Sequence, residues 1–177
     1  LKEYFQKKNL LLKAKKILLN KTINNKKLKI MKLSEHLDLS EVTRSDMAKR
    51  RGLSNMPTPE HIENFKILAE NIFEPIRKHF GVPIFVSSGY RSKELNKAIG
   101  GATSSQHLLG QALDLDMDGT KNGVTNKMVF DYIKANLNFD QLINEFDYSW
   151  VHVSYNPSGK QRKQILNAVK VGGKTSY

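Results

Sequence analysis

The chain has 177 residues, 39% hydrophobic and 26% charged, which suits one compact domain with a real core. It contains no cysteine, so a disulfide framework and a thiolate metal site are both excluded, and any zinc must be held by His and carboxylate. The net charge of +12 is uneven: residues 1–30 carry ten lysines against one acid, Glu3, while nineteen basic and sixteen acidic residues follow from Met31 onward.

That imbalance divides the chain into a basic tail, 1–30, and a mildly basic domain, 31–177. In the tail the apolar runs at Leu10–Leu12 and Ile17–Leu19 are broken by Lys13, Lys15 and Lys16. They are too short for a signal-peptide core or a transmembrane helix. A basic amphipathic helix on an anionic surface is one use of such a segment. The expectation is a mobile tail, or sequence upstream of a natural start at Met31. The domain shows no Gly-rich phosphate loop and no basic patch interleaved with aromatics, so a specific nucleic-acid partner is not expected.

From Leu33 to Gly52 the pattern predicts one short segment and one helix, capped by Ser40 with Thr43 in its first turn and stopped by Gly52. Asn55, Pro57 and Pro59 make a turn. Thr58 can cap the next helix with Pro59 at its first position, although His61 does not complete a capping box. That helix runs to about His79. Ile62, Phe65, Leu68, Ala69, Ile72, Phe73 and Ile76 share one face, and Pro75 is a candidate kink. His36, His61 and His79 match no metal spacing and read as surface or packing residues.

A strand is expected at Ile84–Ser87, a helix from Ser92 to about Ile99, and a polar loop from Gly101 to Gln106. A second strand is expected at Leu113–Met117. Helix Asn126–Asn136 should turn Met128, Val129, Tyr132 and Ile133 inward. Gln141–Glu145 and Trp150–Tyr155 read as two antiparallel strands across a turn at Phe146–Ser149. Arg162–Val171 is strand or short helix, and the closing GGKTSY should fray.

The stretch Ser87–Asp116, SSGYRSKELNKAIGGATSSQHLLGQALDLD, sets an Arg, a His and an Asp among glycines and small polar residues. Alternation from Ala112 to Met117 puts Ala112, Asp114 and Asp116 on one strand face. A carboxylate in a half-buried strand is costly unless paired. A divalent metal is one such partner, with His107 as a second ligand and His152, in the strand-like WVHVSY, as a third. The alternative is a strand-end carboxylate and two unrelated histidines.

The three motifs S-G-Y-R-S, S-Q-H-L-L-G-Q-A-L-D-L-D and W-V-H-V-S, in this order, resemble the zinc D-Ala-D-Ala carboxypeptidase family of cell-wall peptidases, most of all its small phage and prophage branch. The resemblance runs from about Leu33 to Tyr155. It implies an α+β single domain: a small, mostly antiparallel sheet carrying a zinc site, with helices packed on one side, a fold shared with the hedgehog signalling domain. It implies Zn2+ held by His107, Asp114 and His152, with Arg91 near the substrate or the developing oxyanion. Ser105, Gln106 and Trp150 are candidate substrate-binding residues. The implied function is hydrolysis of a peptidoglycan peptide bond at a D-amino acid of the stem or cross-bridge, by carboxypeptidase or endolysin-type endopeptidase action. The expected state is a monomer, held in the cytoplasm until lysis or carried in a virion.

The general base departs from the family's pattern. Some branches place an acid three residues before the last zinc His, and here that position is Ser149. Glu145 is the best candidate, on the strand face it shares with Gln141 and Ile143. Asp147 is the runner-up, and Asp116 is also near in sequence. A non-catalytic, zinc-holding wall-binding or phage-tail module is the rival reading, because fold alone does not fix function.

Overall fold

The structure is a computed structural model that describes residues 31–177 together with Gln6, residues 13–16 and Leu18. The basic tail expected over 1–30 thus lies almost wholly outside the described residues.

The domain opens with two short helices where one was expected, α1 (Leu39–Thr43) and α2 (Asp46–Arg51). Ser40 lies inside α1 and caps nothing; the Glu41 carboxylate accepts from the Asp38 backbone N–H at 2.8 Å instead. Ser45 caps α2 through the Ala48 N–H, and Gly52 ends it in the left-handed conformation. The long helix follows as α3 (Pro59–Leu68), a π-helical turn (Ala69–Phe73) and α4 (Glu74–Phe80). Thr58 caps α3, and the His61 Nδ1 accepts from the Thr58 N–H at 3.4 Å, so an imidazole takes the acceptor role usually filled by Glu or Gln. Pro75 does not break the helix. The Glu74 N–H bonds the Ala69 carbonyl five residues back, and the widened turn accommodates a residue with no N–H to offer.

Short helix α5 (Lys93–Ala98) follows strand β1 (Val86–Ser88), and a 3-10 turn (Gln106–Leu109) precedes β2 (Ala112–Leu115). Both strands are offset from the expected ranges by up to two residues. Asp116 leaves the sheet and accepts from the Asp118 N–H and the Asn126 amide. Helix α6 (Asn126–Asn136) buries Asn126, Val129, Phe130 and Ile133, an i, i+3, i+4, i+7 stripe. Met128 is exposed, contrary to expectation. A buried polar residue sets the phase: the Asn126 carbonyl accepts from the Met117 N–H, and its amide reaches the Tyr148 and Ser149 carbonyls.

Strands β3 (Gln141–Glu145), β4 (Trp150–Ser154), β5 (Gln164–Val171) and β6 (Lys174–Ser176) complete a sheet of order β1-β2-β4-β3-β5-β6. Every pairing is antiparallel except β3 with β5. The α+β, mostly antiparallel architecture is as expected. The closing segment does not fray. Gly172 and Gly173 both have positive φ, the requirement of a tight two-residue hairpin turn, and they fold Lys174–Ser176 back on β5.

The pairing register gives the sheet two unlike faces. Leu113, Leu115, Leu142, Val151 and Val153 are fully buried and belong to the core beneath the helices. The alternate residues Asp114, His152, Ile143 and Leu166 lie in a row across β2, β4, β3 and β5, on the other face. At about 25 cal/mol per Å2 of apolar surface, each large core side chain contributes roughly 1.5–3 kcal/mol. That apolar face holds the sheet against the helices and leaves the opposite row for chemistry.

Candidate metal centre

Asp114 and His152 are direct cross-strand partners on β2 and β4. Their Oδ1 and Nδ1 atoms stand 2.9 Å apart. His107 comes from the 3-10 turn, which the left-handed Gly110 terminates. Gly110 is required twice over: its φ is +69°, and a Cβ there would sit 2.5 Å from the His61 carbonyl oxygen. The His107 Nδ1 lies 2.6 Å from the Gly89 carbonyl, so it carries the proton and donates. The Nε2 atom is then a free lone pair, 3.2 Å from both Asp114 Oδ1 and His152 Nδ1.

Three ligand-type atoms therefore converge in a triangle with edges of 2.9, 3.2 and 3.2 Å. All three residues are buried. One proton on His152 cannot satisfy the three acceptors, whereas a cation can. Donors at zinc–ligand lengths of about 2.0–2.1 Å in tetrahedral geometry stand roughly 3.3 Å apart, and the observed triangle fits that spacing. Protonation states agree. Burial pushes the His107 imidazole down toward the neutral form. Burial alone would raise the Asp114 carboxyl, but His107 and His152 override it and hold it well below the ordinary carboxylate range.

Arg91 braces the site. Its Nη2 donates to Asp114 Oδ2 at 2.5 Å, and its Nε to Ser88 Oγ at 3.0 Å. With Oδ2 engaged, Asp114 presents one oxygen, Oδ1, to the histidines.

The trio lies in a cleft of about 690 Å3. Arg91, Ser105, Gln106, Glu145 and Trp150 line it with the three candidate ligands. Glu145 pairs with Trp150 in the β3–β4 register, two residues along from Ile143 opposite His152 and on the same face. It is buried, and burial first, then the Asp114 charge, push its carboxyl above the usual value. Trp150 packs edge-on to Phe146, with ring centroids 5.3 Å apart. Gln106 donates to Asp140 Oδ2 at 2.9 Å. Asp147 is exposed on the loop, and neither it nor Asp116 is among the cleft residues. Tyr90, in the S-G-Y-R-S motif, belongs to the core, whereas Trp150 lines the cleft.

The turn after Glu145 explains how that carboxylate is presented. Phe146, Asp147 and Tyr148 all have positive φ, an uncommon run for residues with a Cβ. The Asn144 side chain accepts from the Tyr148 N–H at 2.6 Å, the Ser149 N–H bonds the Glu145 carbonyl at 2.9 Å, and Asn126 ties down the Tyr148 and Ser149 carbonyls. Ser149 thus has a structural task in the turn.

A family model described as Peptidase M15 matches residues 35–154. The chain belongs to the peptidase M15 family. M15 peptidases are zinc-dependent metallopeptidases, and the His–Asp–His cluster is a fitting place for the ion. A search of curated proteins finds no match. The M15 match ends at the last residue of β4, so β5 and β6 lie beyond it. Those strands and the residues flanking them still contribute to the M15 cleft: Arg162, Leu166, Lys170, Thr175 and Tyr177 line it. Sequence reasoning missed all five. The Gly-Gly hairpin signal could have placed Thr175 and Tyr177; nothing in the sequence marked Arg162. Among the described residues no helix is long and apolar enough to cross a membrane.

Proposed function

We propose that the protein is a zinc peptidase that hydrolyses a peptide bond at a D-amino acid in peptidoglycan. The observation that carries this reading is the buried triangle of His107 Nε2, Asp114 Oδ1 and His152 Nδ1, opening on a cleft that also holds Glu145. Zinc, when bound, supplies a Lewis acid for the scissile carbonyl and lowers the pKa of a water in the site.

The chain's own residues supply the rest. His107, Asp114 and His152 are the three protein ligands. Glu145 takes a proton from the attacking water and returns one to the leaving amine. Its place two residues along the strand from the His152 partner Ile143, on the same face, supports that role. Arg91 orients Asp114 and adds positive charge beside the carbonyl oxygen as it becomes anionic. Ser105 and Gln106, immediately before His107, bind the peptide backbone, and Trp150 forms an apolar wall. No covalent intermediate is needed. Incubation of zinc-loaded protein with purified peptidoglycan tests this reading: free amino groups should appear, and a chelator should stop their release.

A further inference from the structure

The segment beyond the family match is basic, and two of its cations, Arg162 and Lys170, line the cleft. From Asn156 to Tyr177 there are five basic residues and no acid. Lys160 and Lys163 are exposed and do not line the cleft, whereas Arg162 does. Its Nε lies 3.0 Å from both oxygens of Asp140, and its Nη2 lies 2.6 Å from Oδ2. The Asp140 side chain is only 4% exposed, whereas the guanidinium side chain is 54% exposed. Gln106 donates to the same carboxylate, which ties the pair to the residue beside His107.

Asp140 therefore fixes the plane of the guanidinium from one edge. The Nη1 atom of Arg162 makes no hydrogen bond among the described residues and remains a charged, pre-oriented donor. Arg91 has the same two nitrogens, Nε and Nη2, engaged, by Ser88 and Asp114, but its side chain is only 17% exposed. A carboxylate entering the cleft finds a presented guanidinium edge at Arg162.

Position favours one end of the cleft. Strand β5 runs parallel to β3, with Gln164 beside Gln141 and Ala168 beside Glu145. Arg162, just before β5, belongs to the Gln141 end. Lys170, past Ala168, belongs to the Glu145 end, its amino group 5.0 Å from the Phe146 ring centre. The two cations bracket the row containing His152. Of the two, Arg162 is the better carboxylate partner, because Asp140 holds its guanidinium in place with Nη1 left to donate.

We infer that Arg162 is a specificity-determining residue that binds the terminal carboxylate of the peptide substrate, so that the enzyme reads a free peptide end. This rests on the peptidase reading above, and the test separates the two. The probes are diacetyl-L-Lys-D-Ala-D-Ala and its C-terminal amide, used with the zinc-loaded full chain. Dissociation constants and kcat/KM are both measured. A charge-assisted bond should favour the free acid by roughly 10- to 100-fold in binding. Arg162→Gln should remove most of that preference, acting on KM more than on kcat, and Arg162→Lys should keep only part of it. Equal affinity of wild type for acid and amide overturns the inference, as does an undiminished preference in Arg162→Gln. If Arg162→Gln does not fold, by circular dichroism, full retention of the preference in Arg162→Lys overturns it instead. If the acid is preferred through Arg162 but neither peptide is cut, the hydrolase reading falls and the binding assignment stands.

Discussion

Arg91 and Asp114 share one ion pair in which the arginine holds Oδ2 and leaves Oδ1 facing His107 and His152. A carboxylate so held is aimed, and its charge is compensated before any metal arrives. Both side chains are largely withdrawn from solvent, so removing one partner would strand the other. This division of one carboxylate between an arginine and a metal site yields the first prediction. Arg91→Lys keeps the charge but loses the fork, and should weaken zinc affinity by about 10- to 100-fold, the usual cost of a lost outer partner. Competition with a chelating dye measures it. Unchanged affinity would mean that Asp114 does not depend on Arg91 for its aim.

The second prediction concerns the ligands. Zinc should bind at about one ion per chain, and saturating zinc should raise the melting temperature, because it binds the folded chain far better than the unfolded one. His107→Ala should abolish both effects. Stoichiometric zinc in that variant would remove His107 from the ligand set.

Glu145 supports the third. Glu145→Gln preserves size and should leave zinc content intact while turnover falls by about 10²–10⁴-fold. Burial and the Asp114 charge raise the Glu145 carboxyl, so a base that must be ionised to act places the acidic limb of the rate profile above that of an ordinary carboxylate. The limb should vanish in the Gln variant. Asp147→Asn, on an exposed residue outside the cleft, should cost little. The reverse ranking would assign the proton to Asp147.

The part of this centre that sits in strands is legible in the sequence. Period-two alternation placed Asp114 and Glu145 on defined faces, and the hairpin reading of Phe146–Ser149 set Glu145 opposite Trp150, as observed. What could not be read were contacts between distant segments. The Gly89 carbonyl that fixes the His107 tautomer and the Asp140 that holds Arg162 are bonds across 18 and 22 residues. Met128 faces out because Asn126, a buried amide, begins the inward stripe of α6, and polar residues do not announce burial. The closing strand is hidden by its terminal position, where fraying is the ordinary expectation; the positive φ of Gly172 and Gly173 makes the turn that returns it to the sheet.

The fourth prediction uses pH. The bond from Arg162, more than any other influence, holds the Asp140 carboxyl below its ordinary value. A depressed folded-state pKa adds stability that is fully present above the unfolded value, near 3.9, and is lost as pH falls through the folded value. Wild type should therefore lose more melting temperature than Asp140→Asn between about pH 5 and pH 3. Equal losses would show that the pair contributes nothing to acid stability.

The most direct test of the account is mass spectrometry of defined muropeptides after incubation with the zinc-loaded chain, beside Glu145→Gln and a chelated control. The account predicts products that together gain one water, from cleavage of a single peptide bond at a D-amino acid, with neither control producing them. Muropeptides left intact by protein carrying one zinc per chain would contradict it, and would make the domain a zinc-holding binding module.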